Sequence, residues 1–514
     1  VTKTTASIGF LALALIGLPA AVHRPASCGR GQEPASAEDI FAGPSQGVWY
    51  CCGTANTYPG QKYVYSGPMA TYCMWHRPIA VYAGPVRTTF FVFGNPDNSP
   101  AICAYDHRSK TFGAPVVLGT NPDGDAHRNP TLLVDEQGYL YVFFGAHGHP
   151  TRVVKSRSPY DLSQWEPKAA IDDPGTSYPQ PWQLKRGEVF VSFRQSPGWC
   201  FRKSLDGAAS WQPTVNLIRF ADAAIYAVSI AATGPYPRAV HIAWSKLGGG
   251  TPEEVATKHL WGRRYDVFYA RSDDGGHTWK RSDGTGYSLP IAEETADKVY
   301  ESGEHGVWLK DIQLDSRGNP CILFIDADVT TYESNWKLAR RAEEGWRTAD
   351  VATSDHMYDG GALVILADDD FRVYAPTTPS QPHEDGGEID EWTSTDGGAT
   401  WARTRHVTAG SKYSHNHVRA VFGQEEGDFR VLWSYGDSVY PPETRDVYLG
   451  HYGEASEGAR QIRFRGRPGG TTPKHSRASR EPYGERPSRS EPRAGSGSAT
   501  GTSQSGVGVF SLVR

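Results

Sequence analysis

Methionine is nearly missing from this chain, with 3 in 514 residues. That excludes the adaptable Met-lined groove of promiscuous peptide binders. Charge of one sign does not prevail either. The formal net charge is -5, so there is no basic field of the kind that gathers nucleic acid, and no nucleic acid partner is expected. Past the first residues no apolar run is long enough to span a bilayer, and no stable membrane insertion is expected. The seven cysteines (Cys28, Cys51, Cys52, Cys73, Cys103, Cys200 and Cys321) are scattered. They lack both a redox CxxC and the spacing of a zinc site. In an exported chain one or two disulfides near the N-terminus are allowed. Amphipathic helical periodicity is absent from about residue 48 onward.

What remains is turn-forming and aromatic. The chain has 56 Gly, 36 Pro and a 12% aromatic share, which suits an all-β protein with many turns. Residues 1–27 have the form of a secretory signal: Lys3, an apolar stretch over 8–22, then small residues around Ala20 to Ala26. Secretion or delivery to a periplasm follows, with a lipid anchor on Cys28 as a weaker alternative. Residues 28–47 form a polar linker and 48–453 the folded body. Residues 454–514 are rich in Arg, Ser, Gly and Pro and bury too little to fold, so they are expected to be a disordered low-complexity tail.

Within the body, strand-like runs recur in units of about 45–65 residues, a period that marks radial or linear arrays. Each unit holds a strand, a short Gly or Asp turn, a second strand, a third, and often a Trp-bearing fourth. About seven units fit, and closure of seven four-stranded sheets into a β-propeller leaves only short protected edges. Ser272-Asp-Asp274-Gly-Gly276-His-Thr278-Trp279 and Ser394-Thr-Asp396-Gly-Gly398-Ala-Thr400-Trp401 both match the Asp-box, Ser-x-Asp-x-Gly-x-Thr-Trp. Residues 204–211 are a degenerate copy. The carboxylate holds a tight turn, glycine supplies positive φ, and Trp packs between sheets. These boxes speak to fold rather than chemistry.

The chemistry is concentrated at the strand ends. Residues 125–150 read as a hairpin about the turn 135–138, with His127 before the first strand and His147 after the second. An antiparallel hairpin brings those two ends together. In a propeller, equivalent positions of all units converge on one rim, which collects Tyr178, Arg194, Tyr226, His305, His356, His415, His417 and Arg419. One reading is a hydrogen-bonded plug in the channel, compatible with an adjacent site. The other is chemical. Arg neutralises a uronate carboxylate and acidifies its C5 proton. A His or Tyr removes that proton, and a Tyr or His protonates the departing glycosidic oxygen. Such β-elimination requires no cofactor. Glycoside hydrolysis would want a placed carboxylate pair, and Asp125, Glu304, Asp355, Asp359 and Glu388 are candidates without a distinguished pair. His305, His415 and His417 are candidate ligands for a structural metal ion, zinc or calcium.

The His127/His147 hairpin, Tyr178-Pro-Gln180, Phe193-Arg194-Gln195 and the Asp-boxes together resemble the BNR-4 repeat family, which includes the seven-bladed ulvan lyases and relatives acting on rhamnose–glucuronate linkages. The resemblance covers roughly residues 73–453. It implies that His127, His147, Tyr178 and Arg194 are catalytic, with Arg194 on the uronate and Tyr178 in proton transfer, and matches Tyr226 to a further family tyrosine; Tyr226 is expected to bind substrate, as are His356 and Arg419 from their place on the same rim. Arg128 departs from the small or amide residue common there, and the loop after Arg194 is short. The expected partner is an acidic polysaccharide or oligosaccharide, and the expected state a monomer. A rhamnosidase- or sialidase-like hydrolase, or a non-catalytic glycan-binding propeller, stays open beside the lyase.

Overall fold

The computed structural model describes residues 69–453 except 96–98, 122–124, 186, 233–237, 249–262, 329–330, 332, 380–385, 412–413, 425–426 and 437–446, together with 460–462. The expected signal, linker and most of the expected tail lie outside the described residues, as do Cys28, Cys51 and Cys52. Seven antiparallel sheets follow one another along the chain, each built in simple up-and-down order. The protein is a seven-bladed β-propeller. The first blade carries an extra short strand, Val116–Val117, on its third strand, Pro100–Asp106. The last blade runs past the expected boundary at 453, because Arg460–Ile462 pairs with Val447–Tyr452 as its outer strand.

The turns show why this sequence forms blades. In blade 2, Thr131–Val134 pairs with Leu140–Phe144. Between them the Asp135 carboxylate accepts the backbone N–H of Gln137 and Tyr139 at 3.0 and 2.8 Å. Gly138 sits at φ 86°, where the Tyr160 ring lies 2.4 Å from any added Cβ, so only glycine fits. The same Asp-to-Gly turn recurs in blade 5 at Asp315 and Gly318. The Ser-x-Asp turns close the third strands of blades 3, 4 and 6. Asp274 accepts from Ser272 Oγ, two backbone N–H groups and Thr278 Oγ1 within 3.0 Å. The following Trp279 is buried against Phe190 and Phe201. The ring closes where Phe422 of blade 7 exchanges backbone hydrogen bonds with Ala80 and Tyr82 of blade 1. There Asp428 also accepts from Tyr105 Oη (3.0 Å) and His107 Nδ1 (2.5 Å).

Residues 69–77, ahead of the first blade, are all buried and tie the inner strands of five blades together. Thr71 bonds Ser434 and the His417 carbonyl of blade 7. Gln180 of blade 3 donates to the Trp75 carbonyl. Trp75 packs on Tyr226 of blade 4, and Arg77 pairs with Asp311 of blade 5 at 2.8 Å. Asn129, ahead of blade 2, donates to the carbonyls of Met69, Ala70 and Tyr72. A plug therefore does fill the channel, but this segment makes its body and the rim residues are its partners. The four described cysteines, Cys73, Cys103, Cys200 and Cys321, are buried and free. Among the described residues no helix is long and apolar enough to cross a membrane.

Candidate active site

Asp125 opens a single turn of 3-10 helix, Ala126–Arg128, and its Oδ1 caps that turn by accepting the His127 backbone N–H at 2.9 Å. The same Oδ1 accepts from His127 Nδ1 at 2.6 Å, and Oδ2 accepts from His147 Nδ1 at 2.5 Å. The two imidazoles stack with centroids 4.3 Å apart and planes 19° from parallel. Burial works to raise the Asp125 carboxyl, but hydrogen bonds from and charge on the two histidines overrule it and hold it far below the usual range. With a proton on each Nδ1, both Nε2 atoms carry a lone pair.

Those lone pairs have different fates. His127 Nε2 accepts the Tyr72 hydroxyl at 3.0 Å, so both ring nitrogens of His127 are bound inside the protein. Burial pushes its imidazole below its ordinary value against the pull of Asp125. His147 is more open, with 29% of its side chain exposed, and its Nε2 has no hydrogen-bond partner among the described residues. Arg128 is buried and clamps the loop that carries His147, donating to the Ala146 and His147 carbonyls at 2.9 Å each. That role accounts for the arginine at this position. His147 holds φ 75°, a left-handed conformation costing about 1–2 kcal/mol.

Beside this pair lies Arg194, at the end of the second strand of blade 3. Its guanidinium carbon stands 4.7 Å from the Tyr178 ring and 4.8 Å from the Tyr226 ring. Its Nε has no hydrogen-bond partner, and its side-chain contact with Ser177 Oγ is long at 3.5 Å. Among the described residues no carboxylate reaches it. Tyr178 is placed by an irregularity in strand pairing between Ser177 and Gln180 and also holds a left-handed φ of 56°. Arg264 also packs on Tyr226, at 4.1 Å, and over Trp75 at 4.7 Å. Burial raises both phenols. At Tyr226 the charges of Arg194 and Arg264 overrule it and bring the phenol below its ordinary value; at Tyr178 burial prevails over Arg194 and the phenol stays well above.

The structure thus brings His127, His147, Tyr178, Arg194 and Tyr226 into one cluster on one face. It does not bring the other expected residues there. His356 is fully buried, its Nδ1 accepting the Tyr358 backbone N–H. Arg419 is buried under the plug and donates to the Cys73 and His76 carbonyls. The proposed metal ligands also stand apart. His305 is half exposed and held by Asp326 at 2.6 Å. His415 is buried between Trp433 Nε1 and Ser411 Oγ. His417 is buried against Tyr72, and burial lowers its imidazole to about 3. These three do not fit one ion. The described group with metal-ligand spacing is Asp125, His127 and His147. Its two Nδ1 atoms meet two different oxygens of Asp125, the arrangement of a pair of charge-assisted hydrogen bonds. That geometry carries protons. Sequence reasoning missed the roles of Tyr72 and Arg264, and weighed Asp125 only as a hydrolytic carboxylate. The Asp-x-His spacing was the available signal for Asp125; Tyr72 and Arg264 had none.

A family model described as "BNR repeat-containing family member" matches residues 97–354. An ulvan lyase of Pseudoalteromonas sp. (strain PLSV), named Ulvan Lyase-PL25, is 24% identical over 387 residues, 64% of this chain and 76% of that protein. An ulvan lyase of Nonlabens ulvanivorans is 23% identical over 420 residues, 70% of this chain and 86% of that protein. A solved polysaccharide lyase, PL25 ulvan lyase bound to -[GlcA(1-4)Rha3S]-, superposes with a TM-score of 0.65 at 20% identity, covering 81% of this chain and 97% of that one. The polysaccharide lyase Uly1 gives 0.55 at 13% identity, covering 81% and 98%. These two structural likenesses concern the fold.

Proposed function

Because the chain belongs to the BNR repeat-containing family, we propose that the face carrying His147 and Arg194 is the active site of a polysaccharide lyase cleaving a uronate-containing, ulvan-like glycan by β-elimination. One observation carries this reading. Arg194 is a largely buried cation without a carboxylate partner among the described residues, set beside a histidine whose lone pair faces outward. A bound uronate supplies the missing carboxylate, and the guanidinium then stabilises charge that grows as C5 loses its proton. His147 Nε2 takes that proton, and Asp125 stabilises the imidazolium that forms. The C–H electrons become the C4–C5 double bond, the C4–O bond breaks, and the leaving oxygen takes a proton from Tyr178, whose raised phenol keeps it at neutral pH. Relatives named ulvan lyases support the substrate class. Export through the segment 1–27 belongs to the same reading.

The test is ultraviolet absorbance of the conjugated alkene during incubation with ulvan. Arg194→Ala and His147→Asn should each lose turnover by about a hundredfold or more while keeping the wild-type melting profile. Retained turnover in either removes that residue from the mechanism, and release of free sugar without the alkene moves the chemistry to a hydrolase. The lowered Tyr226 phenol favours a second assignment in which Tyr226 is the base. Tyr226→Phe decides between them: full loss in that variant with activity left in His147→Asn would transfer the role.

A further inference from the structure

A cavity of about 710 Å³ opens on the face opposite this cluster. It lies where the first-to-second and third-to-fourth strand turns of blade 5 meet the third strand of blade 4 and the Asp396 turn of blade 6. Five arginines line it: Arg271, Arg317, Arg340, Arg341 and Arg347. Two are committed: Arg340 to Asp315 and the Gly397 carbonyl, both at 2.8 Å, and Arg347 to Glu344. Three are not. Arg271 lies 3.6 Å from Asp273, which Lys280 engages more closely at 3.1 Å. Arg317 lies 3.9 Å from Asp368. Arg341 donates through Nη1 to the carbonyl of its neighbour Ala342, but no carboxylate among the described residues stands at ion-pairing distance from it, and its buried Nε has no hydrogen-bond partner. Of the lining carboxylates, Asp396 is turned into its own loop, accepting from Ser394 and Thr400, and Glu343 is exposed. We propose that this groove is a second, non-catalytic binding site for an acidic polysaccharide, with Arg271, Arg317 and Arg341 receiving its carboxylate or sulfate groups.

Guanidinium forks match both groups bidentately, and the volume suits a few sugar units. The choice of an acidic glycan rests on the proposed function; the anion-binding character does not. A chain held on the far face keeps the enzyme on polymer without touching the chemistry. The experiment is affinity electrophoresis of the full chain in gels containing ulvan, at rising salt, beside the alkene assay on an ulvan tetrasaccharide. R271A/R341A should weaken retardation by about fivefold and leave tetrasaccharide turnover unchanged. R271Q/R341Q, which keeps the side-chain stems, should behave alike with a wild-type melting profile. Wild-type retardation in the glutamine variant overturns the proposal, as does stronger retardation by double-stranded DNA than by ulvan. Groove-dependent retardation without any alkene would sustain the groove and sink the lyase reading; alkene with unchanged retardation would do the reverse.

Discussion

Asp125→Asn isolates the shared carboxylate. In the native cluster one side chain accepts two Nδ1–H groups at 2.6 and 2.5 Å and so leaves a lone pair on each Nε2. Asparagine keeps a single oxygen. It serves one imidazole and turns its amide N–H toward the other, which must then place its proton on Nε2. If that ring is His147, the outward lone pair is lost; in either case the charge that stabilises the imidazolium is gone. A wrong tautomer behind a general base is worth on the order of 10²–10⁴ in kcat, and KM for a short oligosaccharide should hold within about twofold because Asp125 sits behind the rings. A charge-assisted hydrogen bond contributes about 1.5–3 kcal/mol; with 27% of the Asp125 side chain exposed, the net loss of stability should be nearer about 1–2 kcal/mol after screening. The carboxyl is depressed in the fold, so its contribution is fully present above about pH 4, the unfolded aspartate value, and fades only as pH falls toward the lower folded value. The stability gap between wild type and variant should therefore be flat at neutral pH and shrink in acid. Steady-state kinetics with paired melting curves measure all of this. Retention of more than about a tenth of wild-type kcat would refute the argument that Asp125 sets the tautomer of the base.

Tyr72→Phe keeps the ring against His127 and His417 and removes only the hydroxyl. Turnover should fall by less than about tenfold and stability by about 0.5–1.5 kcal/mol; a loss as deep as that of Asp125→Asn would make Tyr72 part of the chemistry. His76, His417 and His241 are fully buried, and burial above all lowers their imidazoles to about 3, 3 and 4 from an ordinary 6.5. The unfolded chain binds their protons first, so stability should rise with pH between about 4 and 6.5. Denaturant titrations across that range check this, and a flat profile would contradict it. Asp274→Ala removes the anchor of a blade-4 turn and should lower the melting temperature by a few degrees, about 2–4 °C per kcal/mol, with kcat unchanged; altered kcat would tie that face to the chemistry.

The blades were legible because their causes are local. The apolar runs 131–134 and 140–144, the Asp-to-Gly turn at 135–138 between them and the Trp after each Ser-x-Asp turn act over a few residues, and repetition multiplied each signal. The pairing of His127 with His147 was legible for the same reason: one hairpin brings both ends together. His356, His415, His417 and Arg419 were misread because equivalent strand starts do reach one rim, but position along the axis is not encoded in blade spacing. His147 is left partly open to solvent, whereas His415 is closed in by Trp433 and Ser411.

By itself the sequence determined the architecture, the number of blades and the residue types gathered at one end of the ring. Tertiary structure alone decided which of those residues are reachable, because burial and hydrogen-bond completion depend on what comes to lie beside them from distant parts of the chain. The segment 69–77 fills the channel and closes His127 with Tyr72, while Arg264, on the third strand of the same blade, lowers the phenol of Tyr226 on its first. Neither contact has a period or a spacing in the sequence, since one joins the segment ahead of the first blade to blade 2 and the other crosses blade 4 from its first strand to its third.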